Sequence, residues 1–128
     1  MGYIYHNENP NGYHIPDCVI RAITLAMNIP YFEVVKLLNS NADYFECDCL
    51  NKQCYEKLLD CDFNLAHYKC EKVKTANEVA EDFSDKILLL RMRGHLSCSI
   101  FGVIHDIWDC SDEIITDFWI IDEEGENE

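Results

Sequence analysis

Positive charge is what this sequence has least of: ten Lys and Arg stand against 24 Asp and Glu in 128 residues, a formal net charge of -14 at pH 7. Contacts to nucleic-acid phosphates come mainly from Lys and Arg, so DNA and RNA are not expected partners. The charge serves a basic partner or simple solubility. Glycine and proline are also scarce, at five and three. No Pro- or Ser-rich linker, internal repeat or low-complexity segment divides the chain, so a single domain over residues 1–121 is expected. No apolar run approaches the roughly 20 residues of a membrane helix, which excludes a membrane span of that kind. The opening Met1-Gly-Tyr-Ile-Tyr-His-Asn-Glu-Asn-Pro has neither the basic end nor the apolar stretch of an export signal, and the expected location is the cytoplasm.

Cysteine, by contrast, is abundant. In a chain with no export signal the eight (Cys18, Cys47, Cys49, Cys54, Cys61, Cys70, Cys98 and Cys110) read as thiols rather than a disulfide framework. Cys47, Cys49, Cys54, Cys61, His67 and Cys70 are numerous enough to ligate zinc, but they contain no C-x-x-C pair and match no standard spacing. Neither a metal nor another cofactor is expected. Cys98 and Cys110 are expected to pack on the sheet. At the other end of the chain, Asp122 to Glu128 has nothing apolar to bury and reads as a disordered acidic tail.

The hydrophobic pattern changes along the chain. Tyr3 to Tyr5 reads as a short strand and Asn7 to Pro16 as a loop. Asp17 is a candidate N-cap for a buried helix carrying Val19, Ile20, Ala22, Ile23, Ala26 and Met27. Tyr31 to Asn39 reads as a second helix, closed by Asn-Ser-Asn-Ala-Asp. Asn51 to Leu59 is helical in pattern, and Phe63 to Val73 is an extended connection holding a strand. Thr75 and Glu78 form a capping-box signature for a helix over 76–83. After Lys86 the texture becomes that of strands: Ile87 to Met92, Leu96 to Phe101, Val103 to Trp108 and Ile114 to Ile121, with a hairpin turn at Gly102. Helices first and an antiparallel sheet second make the expected class α+β.

Cys18 lies at the start of the first helix, where free backbone N–H groups and the helix dipole favour a thiolate. Arg21, one turn on, adds positive potential if it folds toward the thiol. In the hairpin, residues whose numbers sum to about 203 face each other, so His95 lies opposite Trp108, and Asp106 reaches His95 diagonally. A carboxylate on one imidazole nitrogen leaves the other free to take a proton from Cys18. Cys18, His95 and Asp106 are therefore the candidate catalytic residues, with Asp109 the alternative to Asp106.

Cysteine at a helix start, then histidine, then Asn or Asp on a sheet is the order found in papain-like cysteine peptidases, and this chain resembles a minimal member. In that family the third residue is followed two positions on by a shielding Trp, and Asp106 and Trp108 match the pair. Asn9-Pro10, Asp17-Cys-Val-Ile-Arg-Ala22 and Gly94-His95 through His105-Asp-Ile-Trp-Asp-Cys110 also resemble small papain-like proteins of bacteriophages and their Firmicute hosts. The resemblance covers the N-terminal fifth and the C-terminal third. It implies a cysteine hydrolase cleaving a peptide, amide or isopeptide bond through a thioester, acting on a peptide or protein substrate such as a flexible tail. The family places an oxyanion-binding Gln six residues before the cysteine, and here that position is Gly12. Asn9 or Asn11 could substitute, Asn9 being the favoured candidate. The rival readings are a catalytically silent acidic protein that binds and inhibits a host factor, and a zinc-stabilised interaction module. The oligomeric state is left open.

Overall fold

The apolar run Ile87-Leu-Leu-Leu-Arg-Met occupies the middle of a six-stranded sheet. In the computed structural model, which describes residues 2–13 and 16–124, the chain runs β1 (Gly2–Tyr5), α1 (Cys18–Met27), α2 (Tyr31–Phe45), α3 (Lys52–Lys57), a π-helical turn (Leu58–Asp62), β2 (Leu65–Lys69), α4 (Ala76–Asp82), β3 (Ile87–Met92), β4 (His95–Ile100), β5 (Val103–Asp106) and β6 (Ile115–Glu124). The spatial order is β1-β5-β4-β3-β6-β2. β3 lies between β4 and β6, antiparallel to both. Its side chains are buried on both faces, which is why the run is continuous rather than alternating.

Alternation along β3 assigns its residues to two cores. Leu89 joins Leu96, Cys98, Trp119 and Ile121 beneath α1, α2 and α3. Leu88, Leu90 and Met92 join Ile104, Ile115, Phe118 and Ile120 against Ala76, Val79 and Ala80 of α4. The architecture is α+β, with helices on both faces of a mixed sheet. No helix among the described residues is long and apolar enough to cross a membrane.

Several local readings meet their structural counterparts. Both bonds of the capping box form at α4: Glu78 N–H donates to Thr75 Oγ1 (3.2 Å), and Thr75 N–H donates to Glu78 Oε1 (2.9 Å). The hairpin register is the expected one, with Cys98 paired to His105, Ser99 to Ile104 and Ile100 to Val103.

Four readings are corrected. The sheet is not purely antiparallel, because β1 pairs with β5 in parallel; the two strands are separated in sequence by every helix, so no hairpin constrains their direction. The sheet is also not confined to the C-terminal part, since β1 and β2 form its edges. Helix α2 does not close at Asn39 but continues to Phe45, with Glu46 in the left-handed conformation behind it (φ 55°). Its polar stretch is not a terminator because Ala42 is buried, and Asn41, also buried, donates to the Cys54 carbonyl (3.2 Å). Finally, β6 runs to Glu124, so the first residues assigned to the acidic tail continue the strand. The rest of that segment, 125–128, lies outside the described residues.

Candidate active site

The loop before α1 is tied down by its own asparagines. Asn9 Oδ1 accepts the backbone N–H groups of Asn11 (2.9 Å) and Tyr13 (3.4 Å), while its Nδ2 donates to Asp17 Oδ2 (3.0 Å). Asp17 also accepts from Tyr31 Oη (2.6 Å) and Arg21 Nε (2.6 Å). Its side chain makes no bond to a helix N–H, contrary to the N-cap reading, because those three donors occupy it. Asp17 instead joins the loop, α1 and α2, and so fixes the backbone that carries Cys18 into the first turn of α1.

The β4–β5 hairpin places the histidine and the carboxylate together just beyond its paired residues. Ser97 and His95 stand two apart on β4, and Asp106 ends β5 one step beyond the paired residues. Asp106 Oδ2 accepts from His95 Nε2 (2.6 Å) and Ser97 Oγ (2.6 Å). Asp106 Oδ1 accepts from Arg21 Nη1 (3.1 Å) and the Ile107 N–H (2.7 Å). Arg21 is thus a buried bridge between Asp17 and Asp106, 7% exposed, rather than a group folded onto the thiol. Trp108 packs its ring against His95, with centroids 5.1 Å apart. Asp109 is exposed and turns to Ser111, accepting from its N–H at 3.1 Å and from its hydroxyl. Of the two carboxylates, Asp106 is the one that bonds His95.

Cys18 lines the same groove as His95. Burial by itself would raise its thiol, but hydrogen bonds with His95 and the Leu96 backbone, and the charges of His95 and Arg21, bring it below the ordinary cysteine value. Burial would likewise lower His95, yet hydrogen bonds with Asp106, Cys110 and Cys18 and the Asp106 charge push it up to about 11. Asp106 resists its own burial through His95 and Ser97 and stays below the usual carboxylate range. With Nε2 given to Asp106, Nδ1 is the ring nitrogen left for Cys18. The Cys18 and His95 shifts share one direction: both favour a thiolate beside an imidazolium over a neutral pair.

No family model, curated protein or solved structure matches this chain. Its chemistry is therefore read from its own side chains.

Cys18 and His95 open onto a groove of about 730 Å3, lined also by Pro16, Val19, Leu50, Tyr55, Gly94 and Thr116 among others. Asn9 does not line it, and Asn11 is exposed. Asn9 thus anchors the loop to Asp17 instead of taking the oxyanion position assigned to it. The Cys18 N–H, in the first turn of α1, has no partner within the helix and is the donor the fold supplies there.

Two residues escaped the sequence reading. Ser97 was legible in principle, since the same arithmetic that pairs Cys98 with His105 sets Ser97 opposite Asp106. Cys110, expected to pack on the sheet, also has its Sγ 3.5 Å from Ser97 Oγ and 3.7 Å from Asp106 Oδ2. His95, Asp106 and Cys110 offer ligand atoms within 4.8 Å of one another, the one metal-capable group among the described residues. Zinc accepts such a donor set by type, but here the Arg21 guanidinium already neutralises the carboxylate and would stand beside the dication.

Among the described residues the central cysteines make separate contacts. Cys47 and Cys54 face each other with sulfurs 3.6 Å apart. His67, considered with Cys70, gives Nε2 to Asp117 (2.5 Å) and Nδ1 to Asp60 (3.1 Å), leaving no nitrogen for a metal. Cys98 is fully buried, and burial holds its thiol far above the ordinary value.

Proposed function

We propose that this chain is a papain-like cysteine hydrolase that cleaves a peptide, amide or isopeptide bond through a Cys18 thioester. The observation that supports the reading best is that Cys18 and His95 line one groove while His95 Nε2 bonds Asp106 at 2.6 Å, with the thiol lowered, the imidazole raised and the carboxylate held ionised. Neither a satisfied core histidine nor a packing cysteine needs this arrangement. In the proposed reaction the Cys18 thiolate attacks the carbonyl carbon, and the resulting oxyanion takes the Cys18 N–H. His95 gives its Nδ1 proton to the departing amine as the C–N bond breaks, leaving the thioester. His95, now neutral, takes a proton from water as its oxygen attacks the thioester. The acid product leaves, and the sulfur and imidazole return to their starting states. Asp106 keeps the ring oriented throughout, and Trp108 covers one side of it.

The test is alkylation by iodoacetamide at neutral pH with peptide mapping by mass spectrometry. Cys18 should react at least about tenfold faster than the exposed Cys61, consistent with thiolate control of reactivity. In His95→Ala that advantage should disappear. Equal rates at Cys18 and Cys61 in the unaltered protein would overturn the reading.

A further inference from the structure

The groove that serves Cys18 is charged against the sign of the protein. Its walls carry Lys52, Lys69, Arg91 and Arg93 and a single carboxylate, Asp117, in a chain whose net charge is -14. Four of the ten cations therefore gather at one opening. Arg91 is occupied: it bonds Asp117 and Glu56 and lies over the Trp119 ring, centroid distance 5.1 Å. The other three are exposed and have no ion pair among the described residues. They come from separate segments: the start of α3, the end of β2 and the turn between β3 and β4. Three unrelated segments presenting unneutralised cations around one nucleophile is a property of the assembled site, not of any local stretch.

We propose that the substrate bound in this groove is an acidic polypeptide segment, with Asp or Glu side chains flanking the bond presented to Cys18. This assignment rests on the hydrolase reading above and specifies its substrate class. Charge separates an acidic peptide from the other polyanion to consider. A nucleic acid carries a charge every 1.7 Å or so along the duplex and extends well past a groove of this size, where the surrounding carboxylates repel it within a Debye length of about 8 Å. A short acidic segment can keep its charges inside the cationic opening. It also contains the amide bond that a thiolate can cleave. The acidic exterior then disfavours adventitious acidic chains everywhere except at the groove, which sharpens selection.

The experiment compares two alkylating probes that differ by one charge. Iodoacetamide is neutral and iodoacetate is an anion. The ratio of their rates at Cys18, divided by the same ratio at Cys61, isolates the groove's potential from intrinsic thiol reactivity. At low salt, three cations at about 10 Å should raise that normalised ratio about three- to tenfold, and salt should erode the gain. In the combined variant Lys52→Gln, Lys69→Gln, Arg93→Gln that gain should be lost, leaving only the share of the ratio that the His95 imidazolium sets. In the unaltered protein, a Glu-rich blocked peptide should protect Cys18 from iodoacetamide better than Gln-rich or Lys-rich peptides of equal length. A flat ratio, equal protection by all three peptides, or stronger protection by a single-stranded oligonucleotide would overturn the substrate assignment while leaving a fast Cys18 intact. A Cys18 no faster than Cys61 with iodoacetamide would instead remove the hydrolase reading, and this assignment with it.

Discussion

Arg21 offers the sharpest test of how the site is built. Its guanidinium is 7% exposed and bonds two carboxylates, Asp17 at 2.6 Å and Asp106 at 3.1 Å, themselves almost wholly buried. Arg21→Met keeps most of the aliphatic stem but leaves both carboxylates without their cation. Breaking a buried ion pair by removing one partner costs about 3–5 kcal/mol. The lower end applies here, because Asp17 keeps Asn9 and Tyr31, and Asp106 keeps His95, Ser97 and the Ile107 N–H. A loss of about 3 kcal/mol corresponds to a drop in Tm of roughly 10 °C for a domain of this size. Urea unfolding followed by circular dichroism measures it. Both carboxylates lie below their ordinary value in the folded protein, so their stabilisation is present above the ordinary carboxylate range and is lost as pH falls through the folded values. The deficit of Arg21→Met should therefore be full at pH 7 and shrink on acidification, as the unpaired carboxylates take up protons. A loss below about 1 kcal/mol at pH 7, or one that stays unchanged as pH is taken below the ordinary carboxylate value of 3.8, would refute the bridging role, since a packing defect alone gives no such pH dependence.

The pH profile of Cys18 alkylation should show a thiolate transition below the ordinary thiol value of 9.0 and a further change as His95 deprotonates near 11; His95→Ala should leave a single transition near the ordinary thiol value. Asp106→Asn should lower Cys18 reactivity at pH 7 by about tenfold or more, whereas Asp109→Asn, whose carboxylate turns to Ser111, should change it less than twofold. Trp119→Ala should cost about 3–5 kcal/mol in urea unfolding, because the fully buried ring stacks on His67 and donates Nε1–H to Asp60 at 2.7 Å. Trp108→Ala, 42% exposed and at the edge of the site, should cost less than about 1 kcal/mol while reducing Cys18 alkylation several-fold, measured by the same peptide mapping.

Some of this arrangement belonged to the sequence alone. The Thr75 and Glu78 pair specified the start of α4 because both bonds of a capping box lie within four residues. The turn at Phe101-Gly102 set the β4–β5 register, and with it the approach of Asp106 to His95, because a hairpin transmits register from its turn. Cys18 at a helix start was equally local. Tertiary structure decided what depends on elements meeting across the chain. The neighbours of Asp17 suit it to an N-cap, but Asn9, Arg21 and Tyr31 claim its carboxylate. The parallel seat of β1 beside β5, the continuation of α2 through buried Asn41 and Ala42, and the meeting of Lys52, Lys69 and Arg93 around Cys18 are of the same kind. Periodicity and turn chemistry act over a few residues, whereas strand order and the charge of a groove follow from which distant segments pack together.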